Sequence, residues 1–298
     1  MKFKNAFLKV IMRSGRRLFR NTPIQRLGLT TMVYKLVAKS AFPQDFLMIE
    51  FRGATIKYPG GDHTTLPTLV DGRYESSEFN RVIEFLDGLT EPIDVMDIGA
   101  NVGIWTCVLA RHPMVRRLAA FEPSQETLGL LRENIAINAC TDKVTVVEAA
   151  VTNEVGVVNF TSAGSTATRR IEMDDDATES VAATTVDVFV ETSGFKPGLI
   201  KVDVEGYEPL VLEGAEVTIS TFRPALLLEY SVPQTTSAGL TWASCRSTLE
   251  GQYPTIEALT DTSRTVISNL AQIASDKRLL NLFASHDPRP PGRRDEAS

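Results

Sequence analysis

The chain has 298 residues, 43% hydrophobic and 23% charged, an ordinary globular composition that excludes a fibrous or wholly disordered protein. No apolar run reaches the ~18 residues that a membrane-spanning helix needs. Cys107, Cys140 and Cys245 are too scattered for a disulfide framework or a zinc site, so a reducing, cytoplasmic location is expected. The net charge of −6 hides an asymmetry. Met1 to Gln44 hold ten Lys or Arg and no acid, which leaves 21 basic against 37 acidic residues, a net −16, in the remainder.

Within that basic segment Phe3, Phe7, Leu8, Val10, Ile11, Leu18 and Phe19 alternate with Lys4, Lys9, Arg13, Arg16, Arg17 and Arg20. The pattern fits an amphipathic helix lying on anionic lipid, a peripheral membrane contact through residues 1–40. A helix docked on the acidic body or a mitochondrial presequence shares it, whereas a secretory signal would need a small-residue cleavage site. The expected organisation is a basic segment at 1–44, one α/β domain at 45–285 with its core at 72–230, and a proline-rich, disordered tail at 286–298.

In chain order, Phe46 to Phe51 and Ala54 to Tyr58 read as a hairpin joined at Arg52-Gly53. Phe79, Val82, Ile83 and Leu86 recur at helical spacing, with Ser76 or Ser77 as the cap. From Ile93 strand and helix alternate: strand 93–98, helix 102–111, strand 116–121, helix 124–138 and strand 143–149. Residues 161–181, rich in Ser, Thr, Asp and Ala, read as a long irregular loop. Strand 198–204, helix 206–219 and strand 224–230 follow. In helix 124–138 the apolar face is Leu128, Leu131 and Ile135, with Arg132, Glu133 and Asn134 toward water and Ser124 at its start. The strands are continuous apolar runs, as in a parallel sheet covered on both faces by right-handed crossovers. An antiparallel pair, Thr255 to Leu259 and Leu279 to Ala284, completes seven strands.

The most informative run is Asp94-Val-Met-Asp97-Ile-Gly99-Ala-Asn101-Val-Gly103, where an apolar strand breaks into a glycine loop before a helix. That arrangement brings backbone close to a ligand at a helix N-terminus. A nicotinamide-dinucleotide fingerprint would need glycine at 101 and 104, where Asn101 and Ile104 stand. Asp-x-Gly-x-x-x-Gly suits S-adenosylmethionine better, because that ligand has no pyrophosphate to cradle and carries two cationic groups. Glu122 ends the second strand 23 residues after Gly99, close to the ~20 expected of an acid that binds ribose hydroxyls. Glu148, ending the third strand, is a candidate for the adenine side. The fourth strand delivers Asp203, Glu205 and Glu208, and Glu229 ends the fifth, all at the carboxyl edge where open α/β sheets bind ligands. Crowded acids are costly without a partner, which points to function for Asp203 and Glu205, while Glu208 also fits compensation of a helix dipole. His63 is a minor candidate. Hard cations prefer oxygen ligands, but nothing in the spacing of Asp203, Glu205 and Glu229 demands a metal.

Asp97-Ile-Gly-Ala-Asn101-Val-Gly103, Phe121-Glu-Pro123, Glu133-Asn134 to Asn138, Thr184-Thr-Val-Asp187, Ile200-Lys-Val-Asp-Val-Glu-Gly-Tyr-Glu208, Leu212-Glu-Gly-Ala215 and Arg223-Pro224 to Glu229 together resemble the FkbM family of S-adenosylmethionine-dependent methyltransferases. The resemblance spans roughly Gly72 to Tyr230. It implies a Rossmann-like class I methyltransferase fold, a mostly parallel seven-stranded sheet with helices on both faces. It implies cofactor binding by Asp97, Gly99, Asn101, Gly103 and Glu122, with Asp203 and Glu205 at the methyl-transfer centre and Glu229 assisting. The expected acceptor is a hydroxyl of a sugar, glycan or secondary metabolite. A non-catalytic nucleoside-binding or scaffold protein of the same fold is the alternative, and the acidic body makes a nucleic-acid partner improbable.

Overall fold

The hairpin forms as its alternating pattern requires. In the computed structural model, β1 (Phe46–Phe51) and β2 (Ala54–Pro59) pair antiparallel across Ile49 and Ile56, turning at Arg52 and Gly53, both left-handed. The structure describes residues 46–62, 65–161, 170–171, 179–260, 263–267, 270, 273 and 280–286. The basic segment, His63 and most of the expected tail lie outside the described residues. Helices α1 (Thr65–Val70) and α2 (Ser76–Asp87) follow. Neither serine caps α2; Glu75 holds that position in a left-handed conformation, with no side-chain cap bond.

The main sheet begins with β3 (Ile93–Ile98), α3 (Ile104–Ala110), β4 (Val115–Phe121), α4 (Gln125–Ile137) and β5 (Val144–Val147). It resumes with β10 (Pro197–Val202), β11 (Ala225–Tyr230), β12 (Thr255–Thr260), β13 (Ser263–Val266) and β14 (Leu280–Ser285). The strand order is β13-β12-β14-β11-β10-β3-β4-β5, parallel from β5 through β11 and antiparallel beyond. The predicted antiparallel pair is β12 with β14. The sheet has eight strands rather than seven, because the short polar β13 adds itself to the edge of β12.

Residues 161–181 are not simply a loop. β6 (Ala150–Val151), β7 (Gly156–Thr161), β8 (Arg170–Ile171) and β9 (Glu179–Thr184) make a second sheet in the order β6-β9-β7-β8. The helix expected at 206–219 divides into α6 (Glu208–Glu213) and α7 (Glu216–Phe222), preceded by α5 (Val186–Ser193) and followed by α8 (Val232–Ser237) and α9 (Ala243–Gln252).

The central strands are largely apolar because they face two cores, with Asp94, Asp97 and Lys201 as their buried charged residues. Val95, Leu118, Ala120, Leu199 and Leu227 pack toward the hairpin, α2, α3 and α4. Met96, Ile98, Phe121, Ile200, Val202 and Leu228 pack toward α5, α6, α7 and α9. Asn134 is fully buried, not turned to water. Its amide accepts from the Lys57 N–H at 2.7 Å and donates to the carbonyls of Lys57 (3.0 Å) and Val102 (2.8 Å). Asn138, one turn on, treats Thr55 in the same way at 2.9 and 2.8 Å. The two amides supply the edge of β2 with the ladder partners that a neighbouring strand would give. Asn134 also ties the hairpin to the glycine loop through the Val102 carbonyl. Among the described residues no helix is long and apolar enough to cross a membrane.

Candidate functional site

A cavity of about 380 Å³ opens at the carboxyl ends of β3, β4, β10 and β11. Its floor is the loop after β3. The N–H groups of Gly99 and Ala100 both donate to the Phe121 carbonyl, at 3.1 and 2.9 Å, stitching the loop to the end of β4. Gly99 has φ +80°, and a Cβ there would stand 1.9 Å from the Asp203 carbonyl oxygen. Glycine is thus required for the approach of β3 to β10, as well as for any ligand. Gly103 is the left-handed cap of α3 packed on Leu131, and it supports the loop without lining the cavity.

Glu122 turns back under this loop. One carboxylate oxygen accepts the Asn101 N–H at 2.8 Å; the other accepts the Ser124 N–H at 2.9 Å and the Thr127 hydroxyl at 2.8 Å. The acid therefore sets the loop, and it lines the cavity together with Asn101. Ser124 begins α4 but makes no side-chain cap bond. Asp97 lies below, fully buried, accepting from the Thr106 hydroxyl at 2.6 Å.

Glu148 does not reach the cavity. Half-exposed at the end of β5, it pairs with Arg132 on α4, and Ala149 to Val151 line the wall instead. Of the histidines, His112 pairs with Asp87 at 3.2 Å, away from the cavity.

The opposite end of the cavity is acidic. Asp203 and Glu205 follow β10, Glu229 ends β11, and Glu75 enters from the start of α2. Glu205 sits at φ +56° and accepts from the Gln234 side-chain amide at 2.7 Å. Gly206 follows at φ +105°, where a Cβ would stand 2.7 Å from the Gln234 backbone, so α8 closes on this turn. Glu208 is buried at the start of α6, its carboxylate accepting the Val204 and Gly206 N–H groups at 2.9 and 3.2 Å. It shapes the turn and does not line the cavity.

Sequence reasoning missed Lys201, which carries the only described ammonium among these acids. Buried on β10, its Nζ lies 3.3 Å from Asp203 Oδ2, 3.5 Å from Asp97 Oδ1 and 3.4 Å from the Gly99 carbonyl. Burial disfavours its charge, but Asp203, Asp97 and Glu75 outweigh that and hold its pKa above the ordinary lysine value. A lysine inside Leu199-Ile200-Lys201-Val202 was the available signal, since a charge on a strand buried on both faces needs acids nearby.

Glu75 was also missed. Its carboxylate accepts the Trp105 indole N–H at 2.5 Å. Burial and then the Asp203 charge push its pKa up to about 7, against the pull of Lys201, Tyr74 and Trp105. Glu229 is pushed further, to about 10, by burial and by the charges of Asp203, Glu205, Glu208 and Glu75. Its Oε2 is buried without a hydrogen-bond partner, as is the Gln234 Oε1. Among the described residues no three His, Cys, Asp or Glu side chains converge as a metal set.

The model for the Methyltransferase FkbM domain matches residues 97–253, just over half of the chain. The hexuronic acid methyltransferase AglP of Haloferax volcanii is 29% identical over 135 residues, which cover 45% of this chain and 54% of that protein. The chain thus spans about half the length of this curated relative. Among solved structures, methyltransferase FkbM from Methylobacillus flagellatus KT is 15% identical, with a TM-score of 0.45 over 88% of this chain and 61% of that one. The O-methyltransferase from Bacillus cereus, solved with SAH, is 12% identical, with a TM-score of 0.39 over 71% and 80%.

Proposed function

Since the chain belongs to the FkbM methyltransferase family, we propose that it is an S-adenosylmethionine-dependent O-methyltransferase acting on a neutral hydroxyl of a sugar, glycan or related metabolite. The observation that carries this reading is the pairing of Glu122 with the Asn101 N–H at 2.8 Å on one cavity wall, opposite a carboxylate-rich wall. The residues present suit the cofactor. It presents two ribose hydroxyls, an ammonium and a sulfonium, all of which seek acceptors or negative charge, and the cavity offers the unpartnered oxygens Glu229 Oε2 and Gln234 Oε1 beside Asp203. Glu122, Asn101 and the backbone at Gly99 would hold it, with Gly103 and Asp97 as support from below. When bound, S-adenosylmethionine supplies a methyl group made electrophilic by its sulfonium.

The chain's own part is positioning. Asp203, fixed by Lys201, and Glu205, fixed by Gln234, orient the acceptor hydroxyl at the mouth of the cavity. Buried Glu229 carries its proton at neutral pH and there serves as a hydrogen-bond donor. With Glu229 neutral, Asp203, Glu205 and the part-ionised Glu75 still outweigh the one lysine and repel an anionic acceptor, so a neutral hydroxyl is favoured over a uronate although the curated relative's name specifies hexuronic acid. The test is transfer of label from methyl-labelled S-adenosylmethionine to a panel of neutral methyl glycosides and the matching uronates. Labelled neutral glycosides support the proposal; labelling confined to uronates contradicts it.

A further inference from the structure

We propose that Glu75 is the catalytic residue that takes the proton from the acceptor hydroxyl, a role that rests on the methyl-transfer reading above. Glu75 lies outside the segment matched by the family model and reaches the cavity from the start of α2, opposite Asp203. Three observations single it out. The first is its backbone, held at φ 40° and ψ 45°, a left-handed conformation that side-chain-bearing residues rarely adopt, at a helix start where Ser, Thr, Asp or Asn would cap. Such conformations persist where the surroundings over-determine them, and they cluster at functional sites.

The second observation is how the carboxylate is aimed. The Trp105 indole donates to Oε2 at 2.5 Å, and the ring is pinned by stacking on Phe79 at 3.6 Å between centroids with 9° between the planes. One donor leaves acceptor capacity on a carboxylate with about four lone-pair sites. It fixes the direction of the carboxylate without neutralising its charge.

The third is elimination among the other acids of the cavity. Asp203 is paired with Lys201 at 3.3 Å, Glu205 accepts from Gln234, and Glu122 holds the glycine loop. Glu229 is already protonated at neutral pH. Glu75 is shifted to about 7, where a general base works best; Glu208, raised to the same value, holds the turn before α6 and does not line the cavity. The groups facing it are Asp203 and Lys201 from β10, Tyr74 beside it and Glu229 from β11.

In the step, the acceptor oxygen bonds to the methyl carbon as the methyl–sulfur bond breaks and its electron pair stays on sulfur. The hydroxyl proton passes to a Glu75 oxygen and then to solvent. The sulfonium charge is lost and one proton is released, so atoms and charge balance.

The chain has two tryptophans, so the indole N–H region of a ¹H–¹⁵N spectrum holds two signals, and Trp105 reports on Glu75 without any reporter mutation. The Trp105 signal should shift with a midpoint near pH 7 in the native chain and be pH-silent in E75Q; a native signal that does not move overturns the proposal. On labelled glycosides, E75Q should lose about 10²–10⁴-fold in kcat and the acidic limb of the pH profile, and E75D should recover part. Calorimetry should find S-adenosylmethionine binding in E75Q within about threefold of the native chain. An E75Q variant with native kcat and an intact acidic limb overturns the role of Glu75. A native chain that ignores S-adenosylmethionine while its indole titrates overturns the methyl-transfer reading instead.

Discussion

Replacing Gly99 by alanine tests whether the close approach of β3 to β10 builds the site. Two costs are separable. An L-residue at φ +80° is strained by roughly 1–2 kcal/mol. The added Cβ would stand 1.9 Å from the Asp203 carbonyl oxygen, and relieving that overlap means parting two strand ends at a cost of roughly 1–3 kcal/mol. G99A should therefore lose about 2–5 kcal/mol. Gly53, at φ +83° with nothing within 4 Å of its Cβ, isolates strain alone, so G53A should lose only about 1–2 kcal/mol. Gly129, inside α4 with open space around it, should gain about 0.5–1 kcal/mol on becoming alanine. Urea unfolding followed by circular dichroism, with m-values compared across the three, gives the series. Equal losses in G99A and G53A would refute the claim that the β3–β10 approach demands glycine.

Lys201→Met leaves Asp97 buried and uncompensated, so about 3–5 kcal/mol of stability should be lost; a near-native urea midpoint would contradict the geometry around Nζ. Glu229 has its pKa raised in the fold to about 10 from 4.5, so the native state binds the extra proton between those values. Its stabilising contribution is complete below about pH 4.5 and is lost as pH rises through 10, at about 1.4 kcal/mol per pH unit, with Glu75 adding to the slope up to about pH 7. E229Q should flatten this alkaline decline in urea melts, and unchanged slopes would rule the shift out. Glu122→Ala should weaken cofactor affinity first, because the Asn101 N–H loses its acceptor. Asp203→Asn should instead lower kcat by at least tenfold with cofactor affinity retained; the reverse pattern would exchange their roles.

The central strands were legible because residues such as Leu199 and Ile200 face opposite cores, and apolarity on both sides of a strand is visible in the sequence. The glycine loop and the acids at strand ends were legible for the same reason, since the sheet's carboxyl edge follows once the strands are placed. What failed was non-local. Asn134 reads as a surface residue in its helical pattern, and only the unpaired edge of β2, 77 residues away, explains its burial. Lys201 makes sense only beside Asp97 and the loop after β3. Glu75 precedes the sheet and is brought to it by Trp105. Glu148 was misplaced because a strand end does not reveal which way its last side chain turns. The edge strand β13 is short, polar and largely exposed, and the second sheet buries only a small face, chiefly Ala150, Val181 and Ala183, too slight a pattern to read within a Ser-, Thr- and Ala-rich stretch.

Titration calorimetry of the purified full chain with S-adenosylmethionine tests the central claim most directly. The account predicts one site with micromolar affinity that Glu122→Ala weakens by at least tenfold. An absence of heat at millimolar concentration, or full affinity in the Glu122 variant, would contradict it.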